Sequence, residues 1–479
     1  MRLLKIVVAD MLLMLGTAAI ALAQWQPIGN VTAVKATPNG MELQAGRGRV
    51  RITTISPSIV RVRYAPDGTF TPEHSFAVLS DTGFSAPQVR FTDNAQSAEF
   101  ATAELRVIVT KSPLNVAFLN AAGEVILQDD PSRPAIWNGK SFRLFKTMPA
   151  NEHYFGLGEK SGPLDHRGQT FINWNTDAYG YQESTDPLYQ TIPFFVGLRD
   201  GRAYGLFFDN TYRSSFDFGR ELRDSYSFGA EGGDLDYYFF YGPEPRKVVE
   251  SYTALTGRTP LPPLFALGFQ QSRYSYFPEA RVLEIAKEFR RRRIPADVLY
   301  LDIDYQDNNR PFTVDSQRFP HFHQMVQELA QDGFKTVLIT DLHLAKAPGY
   351  KPYDEGIAHD YFVKNPDGSV YVGKVWPGDS VFPDFTRTEV RQWWGGLYRD
   401  FVDDGVRGFW NDMNEPSVFF RDDKTMPLDT VHRVEGRRTD HREIHNVFGM
   451  ENACATYDGL LKLRPAQRPV VLTRAGYAG

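Results

Sequence analysis

Between residues 26 and 241 apolar and polar side chains alternate in short runs. Val50-Arg51-Ile52-Thr53-Thr54-Ile55 and Ile59-Val60-Arg61-Val62-Arg63-Tyr64 follow the two-residue period of strands with one buried side. Leu105-Arg106-Val107-Ile108-Val109 and Asp236-Tyr237-Tyr238-Phe239-Phe240-Tyr241 add two more. Gly, Pro, Asn and Asp separate the runs, and no long amphipathic helix interrupts them, so the pattern predicts an antiparallel β-sandwich.

The period changes after Thr259-Pro260-Leu261-Pro262-Pro263, a run of chain-breaking residues. Leu264 to Phe269 reads as a buried strand. Val282, Ile285, Ala286 and Phe289 then fall at helical spacing, followed by the strand Val298-Leu299-Tyr300-Leu301. Met325, Val326 and Leu329 precede Thr336-Val337-Leu338-Ile339, and Val390, Trp393, Trp394, Leu397 and Phe401 precede Gly408-Phe409-Trp410. A helix near Ala455 to Leu463 leads to Val470-Val471-Leu472. The run from Arg290 to Arg293 reads as the solvated, basic end of a helix, where positive charge suits the dipole. Apolar strands alternating with amphipathic helices predict a parallel sheet. Each strand ends on a polar residue, Asp302, Asp341, Asp412 or Arg474, where a (β/α)8 barrel carries its chemistry. About five of the eight strand–helix units that closure needs are legible. The expected architecture is a multidomain chain, a β-sandwich over 24–258 and then an incomplete (β/α)8 TIM barrel over 259–479, with the rest of the barrel expected beyond Gly479.

A length of 479 residues suits two or more domains. A net charge of −5 argues against a nucleic-acid partner, which requires a basic face. Aromatic residues make up 14% of the chain, enough for a large core and for rings that stack on sugars. Arg2 and Lys5 precede an apolar run from Met11 to Leu22 that ends in Ala21-Leu22-Ala23, the pattern of a secretory signal over residues 1–23. The expectation is therefore an exported protein, periplasmic or secreted. The run is short for a bilayer span, so no membrane attachment is expected after cleavage. Cys454 is the single cysteine, so no intrachain disulfide forms, and its apolar neighbours make it read as a small buried residue. The ten histidines form no ligand-spaced cluster, and His321-Phe322-His323 reads as solvated. No metal and no cofactor are expected, and nothing in the sequence fixes an oligomeric state.

The chemistry concentrates in Gly408-Phe409-Trp410-Asn411-Asp412-Met413-Asn414-Glu415-Pro416. Two carboxylates stand three residues apart at a strand end. Glycoside cleavage needs two carboxyl groups flanking the scissile bond. From the residues alone either Asp412 or Glu415 fits, and an acidic turn closed by proline is the plain alternative.

The stretch Trp410-Asn411-Asp412-Met413-Asn414-Glu415-Pro416 resembles the nucleophile signature of glycoside hydrolase family 31. Tyr154-Phe155-Gly156-Leu157-Gly158-Glu159, Trp174-Asn175-Thr176-Asp177 and Asp186-Pro187-Leu188-Tyr189 resemble its N-terminal domain. Leu301-Asp302-Ile303-Asp304-Tyr305, Val375-Trp376-Pro377-Gly378 and Thr473-Arg474-Ala475-Gly476-Tyr477-Ala478-Gly479 resemble its barrel. The resemblance implies a retaining, exo-acting α-glucosidase that releases terminal glucose from α-linked oligosaccharides through a covalent glycosyl-enzyme on Asp412. It implies that Asp302 and Arg474 bind the hydroxyls of the terminal sugar, with Trp376, Trp410, Met413 and Tyr274 around it. Asp304 is the structural member of its pair, and Asp177 reaches from the N-terminal domain to the leaving sugar. Two departures stand out. Asp341-Leu342-His343-Leu344 replaces the family's Asp-Pro-Gly-Ile, and the sequence ends before the family's acid/base motif, so no general acid is named. α-Xylosidase and α-transglucosylase activities remain open within the family. Outside it stand a β-glycanase with Glu415 as acid/base and a non-catalytic carbohydrate-binding protein.

Overall fold

The computed structural model describes residues 25–479, and the signal sequence expected over 1–23 lies outside them. The alternating runs form three antiparallel sheets. The largest has eight strands, ordered Glu152–Gly158, Thr191–Arg199, Arg202–Phe208, Leu235–Tyr241, Ile59–Ala65, Gly48–Ser56, Gly40–Ala45 and Val31–Thr37. Gly48–Ser56 buries every second residue, whereas Leu235–Tyr241 is buried on both faces. Its inner face, Tyr237 and Phe239, meets the other two sheets in one core, with Phe239 stacked on Phe118 at 4.2 Å. Its outer face, Tyr238 and Phe240, is covered by the helix Pro245–Thr256, where Tyr252 stacks on Phe194 at 3.8 Å. A lysine is buried inside this sandwich. Lys146 pairs with Asp129 at 2.6 Å and donates to Tyr237 Oη at 2.9 Å, which meets the need of a buried ammonium for partners.

The second unit is an open parallel sheet in the order Gln270–Gln271, Val298–Leu301, Lys335–Asp341, Gly408–Asp412 and Val471–Thr473. Helices Glu279–Arg291, Phe322–Gln331, Thr388–Leu397 and His441–Leu463 lie between successive strands. This is an incomplete barrel, five strands of the eight that closure requires. The middle strands are buried throughout, as a parallel sheet packed on both faces demands.

Three expectations are corrected. Residues 264–269 are not a buried strand. Leu264–Leu267 is a single 3-10 turn with Leu264 83% and Leu267 69% exposed, and only Gln270–Gln271 pairs. Pro262 and Pro263 leave no N–H for a ladder and bring the chain in as a turn. The last helix begins fourteen residues before Ala455, at His441, capped by Asp440, whose carboxylate accepts from Arg442 N–H at 3.0 Å. Its first turns bury His441, His445, Asn446 and Asn452, so no apolar stripe marks them. Cys454 lies on the exposed side of that helix. Burial among its immediate neighbours, with Glu451 and Asp458 adding, pushes the thiol up to about 11, which leaves it a poor nucleophile. Among the described residues no helix is long and apolar enough to cross a membrane.

Candidate active site

The strand ends bring Asp302, Asp341, Asp412 and Arg474 to one end of the sheet. Asp341 and Asp412 are register partners on adjacent strands. Arg474 N–H donates to Asn411 O at 3.0 Å, and Asn414 ties the same two strand ends. Its Nδ2 donates to Thr473 Oγ1 at 2.9 Å, and its Oδ1 accepts from Ala475 N–H at 3.0 Å. Met413 between them has φ +58°, a left-handed turn that side chains other than glycine adopt only where surroundings hold it.

Arg474 distinguishes the two carboxylates of the motif. Its Nε and Nη2 donate to the two oxygens of Glu415 at 2.7 and 2.8 Å, a bidentate pair. Glu415 is 1% exposed, with both oxygens so engaged. Nε also lies 3.1 Å from Asp412 Oδ1, but its N–H is aimed at Glu415. Asp412 Oδ1 is left with charge nearby and no hydrogen bond. Burial pushes the Asp412 carboxyl above its ordinary range against the opposing charge of Arg474. Although burial opposes it, Glu415 and Asp412 keep the Arg474 guanidinium charged. The ring of Tyr189 supports its other face at 5.0 Å, and Met413 Sδ accepts from Nη2 at 3.4 Å.

Asp302 caps the turn that follows its strand, accepting from Ile303 N–H at 2.7 Å. Burial raises its carboxyl to about 6, the Ile303 bond opposing and the Asp304 charge adding. Asp304 is held by Arg318 at 2.8 Å. Tyr274 is 65% exposed, and burial raises its hydroxyl, with the charges of Asp304 and Asp302 adding. Trp410 is half-buried against Tyr300, centroids 6.3 Å apart, on the face of the sheet that carries Asp412 two residues on. Trp376 turns the hairpin between Gly373–Val375 and Gly378–Val381, 41% exposed and edge-on to Phe419 at 4.9 Å. Asp177 arrives from the sandwich. Its Oδ2 accepts from Ser417 Oγ at 3.0 Å and lies 3.7 Å from Arg474, while Lys424 Nζ donates to its backbone carbonyl at 2.6 Å.

For other groups at this site the sequence gives the residue and not its partner. Glu415 is the partner of Arg474, a pairing across 59 positions that no local pattern marks. Asp341 and His343 are buried with both oxygens and both ring nitrogens unpaired, His343 Nε2 standing 3.6 Å from Asp341 Oδ2. Burial and the charge of Asp412 raise Asp341, and burial lowers His343 to about 3, leaving a neutral ring. Strand-end position marks Asp341, and its unusual neighbours mark His343, but neither signal says what they face. Several carboxylates around one arginine, some with unpaired oxygens, suit a neutral ligand rich in hydroxyls. Among the described residues no group of three or more His, Cys, Asp or Glu side chains is arranged to hold a metal.

Fold and site together define an architecture, an antiparallel sandwich that lends one carboxylate to a cluster of acids and one arginine at the strand ends of an incomplete parallel barrel. Residues 259–479 match the glycosyl hydrolases family 31 TIM-barrel domain, and residues 49–217 match the glycosyl hydrolase 31 N-terminal galactose mutarotase-like domain. The chain belongs to glycoside hydrolase family 31. It is 44% identical over 453 residues to alpha-glucosidase 2 of Bacillus thermoamyloliquefaciens, covering 94% of this chain and 57% of that protein. It is 34% identical over 363 residues to the alpha-glucosidase of Saccharolobus solfataricus, covering 72% of this chain and 52% of that one. A GH31 dextranase of Flavobacterium johnsoniae, solved in complex with glucose, superposes with a TM-score of 0.88 at 34% identity, over 95% of this chain and 55% of that one. The chain spans little more than half the length of these relatives.

Proposed function

We propose that the protein is a retaining, exo-acting α-glucosidase that forms a covalent glycosyl-enzyme on Asp412. The observation that carries this is the division of labour around Arg474: Glu415 has both oxygens in the arginine fork, and Asp412 keeps one free of any hydrogen bond. That oxygen is itself enclosed and faces Arg474, but Asp412 as a whole stays outside the fork and can attack, whereas a fully engaged carboxylate cannot reach a glycosidic oxygen. The same contrast weighs against a β-glycanase with Glu415 as acid/base. The α-glucosidases among the relatives support the choice of bond, and a mutant of the Flavobacterium johnsoniae dextranase is complexed with isomaltotriose.

On this reading Asp302 accepts hydroxyls of the terminal sugar, Trp376, Trp410, Met413 and Tyr274 surround it, and Asp177 meets the sugar on the leaving side. Asp412 bonds to the anomeric carbon as the C–O bond to the leaving sugar breaks. That sugar takes a proton, and water then cleaves the ester on Asp412. We assign no general acid. α-Xylosidase and transglucosylase activities are the neighbouring outcomes of the first test.

Turnover of aryl α-glucoside, aryl α-xyloside and aryl β-glucoside by the intact enzyme tests the class, with the α-glucoside expected to dominate. A β-glucoside preference would overturn it. A 2-fluoro glucosyl fluoride, whose leaving group needs little protonation, should label Asp412. Mass spectrometry that found the label on Glu415 would reverse the assignment. Export follows from the expected signal sequence, and cell fractionation should recover the protein outside the cytoplasm.

A further inference from the structure

Three imidazoles run in file through the joint between the two domains. His432 Nδ1 stands 3.1 Å from Asp384 Oδ1, His432 Nε2 is 3.1 Å from His441 Nδ1, and His441 Nε2 is 3.1 Å from His445 Nδ1. His445 Nε2 closes the file, 2.8 Å from the carbonyl oxygen of Asn175. All three rings are fully buried, and Asp384 nearly so.

The two ends set the polarity of this file. A carbonyl only accepts, so His445 carries a proton on Nε2 and accepts at Nδ1. At the other end burial works against the Asp384 carboxylate. Bonds from His432, Thr386 and the Arg433 N–H nevertheless hold it below its ordinary range, so His432 donates from Nδ1. Four links between two acceptors need four protons on three rings, one more than three neutral rings supply. Either one ring carries the extra proton opposite Asp384, or the Thr425 hydroxyl fills the middle link. It lies 3.2 Å from both His441 Nε2 and His445 Nδ1. In both states the Nε2–H of His445 remains on the Asn175 carbonyl.

What the file holds is the segment that brings Asp177 to within 3.7 Å of Arg474. Trp174 stacks on the His445 ring at 3.6 Å and 10°. Asn175 N–H donates to Asn446 Oδ1 at 2.9 Å, and Asn175 Nδ2 donates to the Asn446 carbonyl at 3.0 Å. Asn446 Nδ2 donates in turn to Thr211 O at 3.0 Å. Two residues of chain span at most about 7 Å, so Asn175 anchors the chain close to Asp177, whose other anchors are Ser417 and Lys424.

We propose that His445 is a positioning residue, which through its Nε2–H bond to Asn175 fixes Asp177 over the site of the leaving sugar, the rest of the file fixing its tautomer. This rests on the glycosidase reading above. The test compares His445→Asn and His445→Gln in the intact enzyme. The Gln amide reaches the position of Nε2 and keeps the donor, whereas the Asn amide stops at Nδ1 and loses it. Maltose requires the leaving-sugar site, and α-glucosyl fluoride does not. For His445→Asn we expect kcat/KM to fall ~10–100-fold on maltose and under ~3-fold on the fluoride, with His445→Gln near the unaltered enzyme on both. Equal losses on the two substrates, or a Gln variant as impaired as the Asn variant, would overturn the proposal. Amide hydrogen exchange at Asn175 and Thr176 gives a readout independent of turnover. Faster exchange in His445→Asn and not in His445→Gln supports the positioning role, and unchanged exchange in His445→Asn refutes it. Inactivity of the unaltered enzyme on both substrates would count against the glycosidase reading, and exchange would still judge the joint.

Discussion

Arg474 presents a planar fork to Glu415 and its edge to Asp412, and this asymmetry predicts unequal costs of substitution. Glu415→Gln keeps the shape but leaves a buried guanidinium short of a counter-charge, which should cost about 3 kcal/mol, lower Tm and disturb Asp412. Thermal unfolding measures it, and an unchanged Tm would mean that the fork adds nothing. Asp302 predicts the opposite sign for stability. Its folded pKa of about 6 lies above the roughly 3.9 of an unfolded chain, so the folded state holds the proton more tightly. The destabilisation this causes is absent below about pH 4, grows as pH rises from there toward 6, and is full above it. Asp302→Asn should therefore gain about 1–2 kcal/mol at pH 7, discounted for partial solvent access, and nothing at pH 4. If Asp302 binds the sugar as proposed, the same change also removes charge-assisted bonds to it, and kcat/KM should fall by several orders of magnitude. Unfolding at the two pH values together with kinetics separates these effects. A variant with unaltered kinetics would reduce Asp302 to a cap.

Helix Thr388–Leu397 crosses helix His441–Leu463 at a pair of glycines. A Cβ placed on Gly459 would lie 2.4 Å from Gly395 Cα. Glycine to alanine inside a helix ordinarily stabilises by about 1 kcal/mol. Here the backbones must separate, so Gly459→Ala should destabilise by about 1–3 kcal/mol, read as a lower denaturation midpoint. A stabilised variant would show that the crossing relaxes freely. This pair bears on what the chain displays in one dimension. Gly48–Ser56 and Phe322–Gln331 are legible because one face of each is buried and the other is not. The first three turns of His441–Leu463 face two domains and bury histidine and asparagine, so no period survives there. The strand-end acids at 302 and 412 are legible because the change from apolar to polar is local. The Glu415–Arg474 fork and the bonds that tie the histidine file to Asp384 and Asn175 span 59, 48 and 270 positions, which no window along the chain contains. The Asp341–His343 pair, though local, shows nothing of its burial in the sequence.

On the scale of the molecule, the parallel sheet of residues 25–479 begins at Gln270–Gln271 and ends at Val471–Thr473. Leu264, Leu267 and Phe269 are exposed near the first and Leu472 on the second. Unpaired edges flanked by apolar side chains favour association. A double change of Leu264 and Leu267 to Glu should reduce light scattering by residues 1–479 at micromolar concentration. Because both side chains are exposed, the cost in stability should stay within about 0.5 kcal/mol. Undiminished scattering would point to a different contact.

Asp177 belongs to the sandwich, whereas Asp302, Asp412 and Arg474 belong to the barrel. On the proposed reading, acceptor choice and bond-breaking therefore sit on different domains. The turn beyond Asp177 is exposed, with Tyr179 92% and Tyr181 50% open to solvent, so packing places few demands on its sequence. On that same reading, a lineage could drift from one linkage to another by editing this connection between two sheets of the sandwich, leaving its chemistry untouched. An engineer could do the same by grafting residues 178–185 from a relative of different preference.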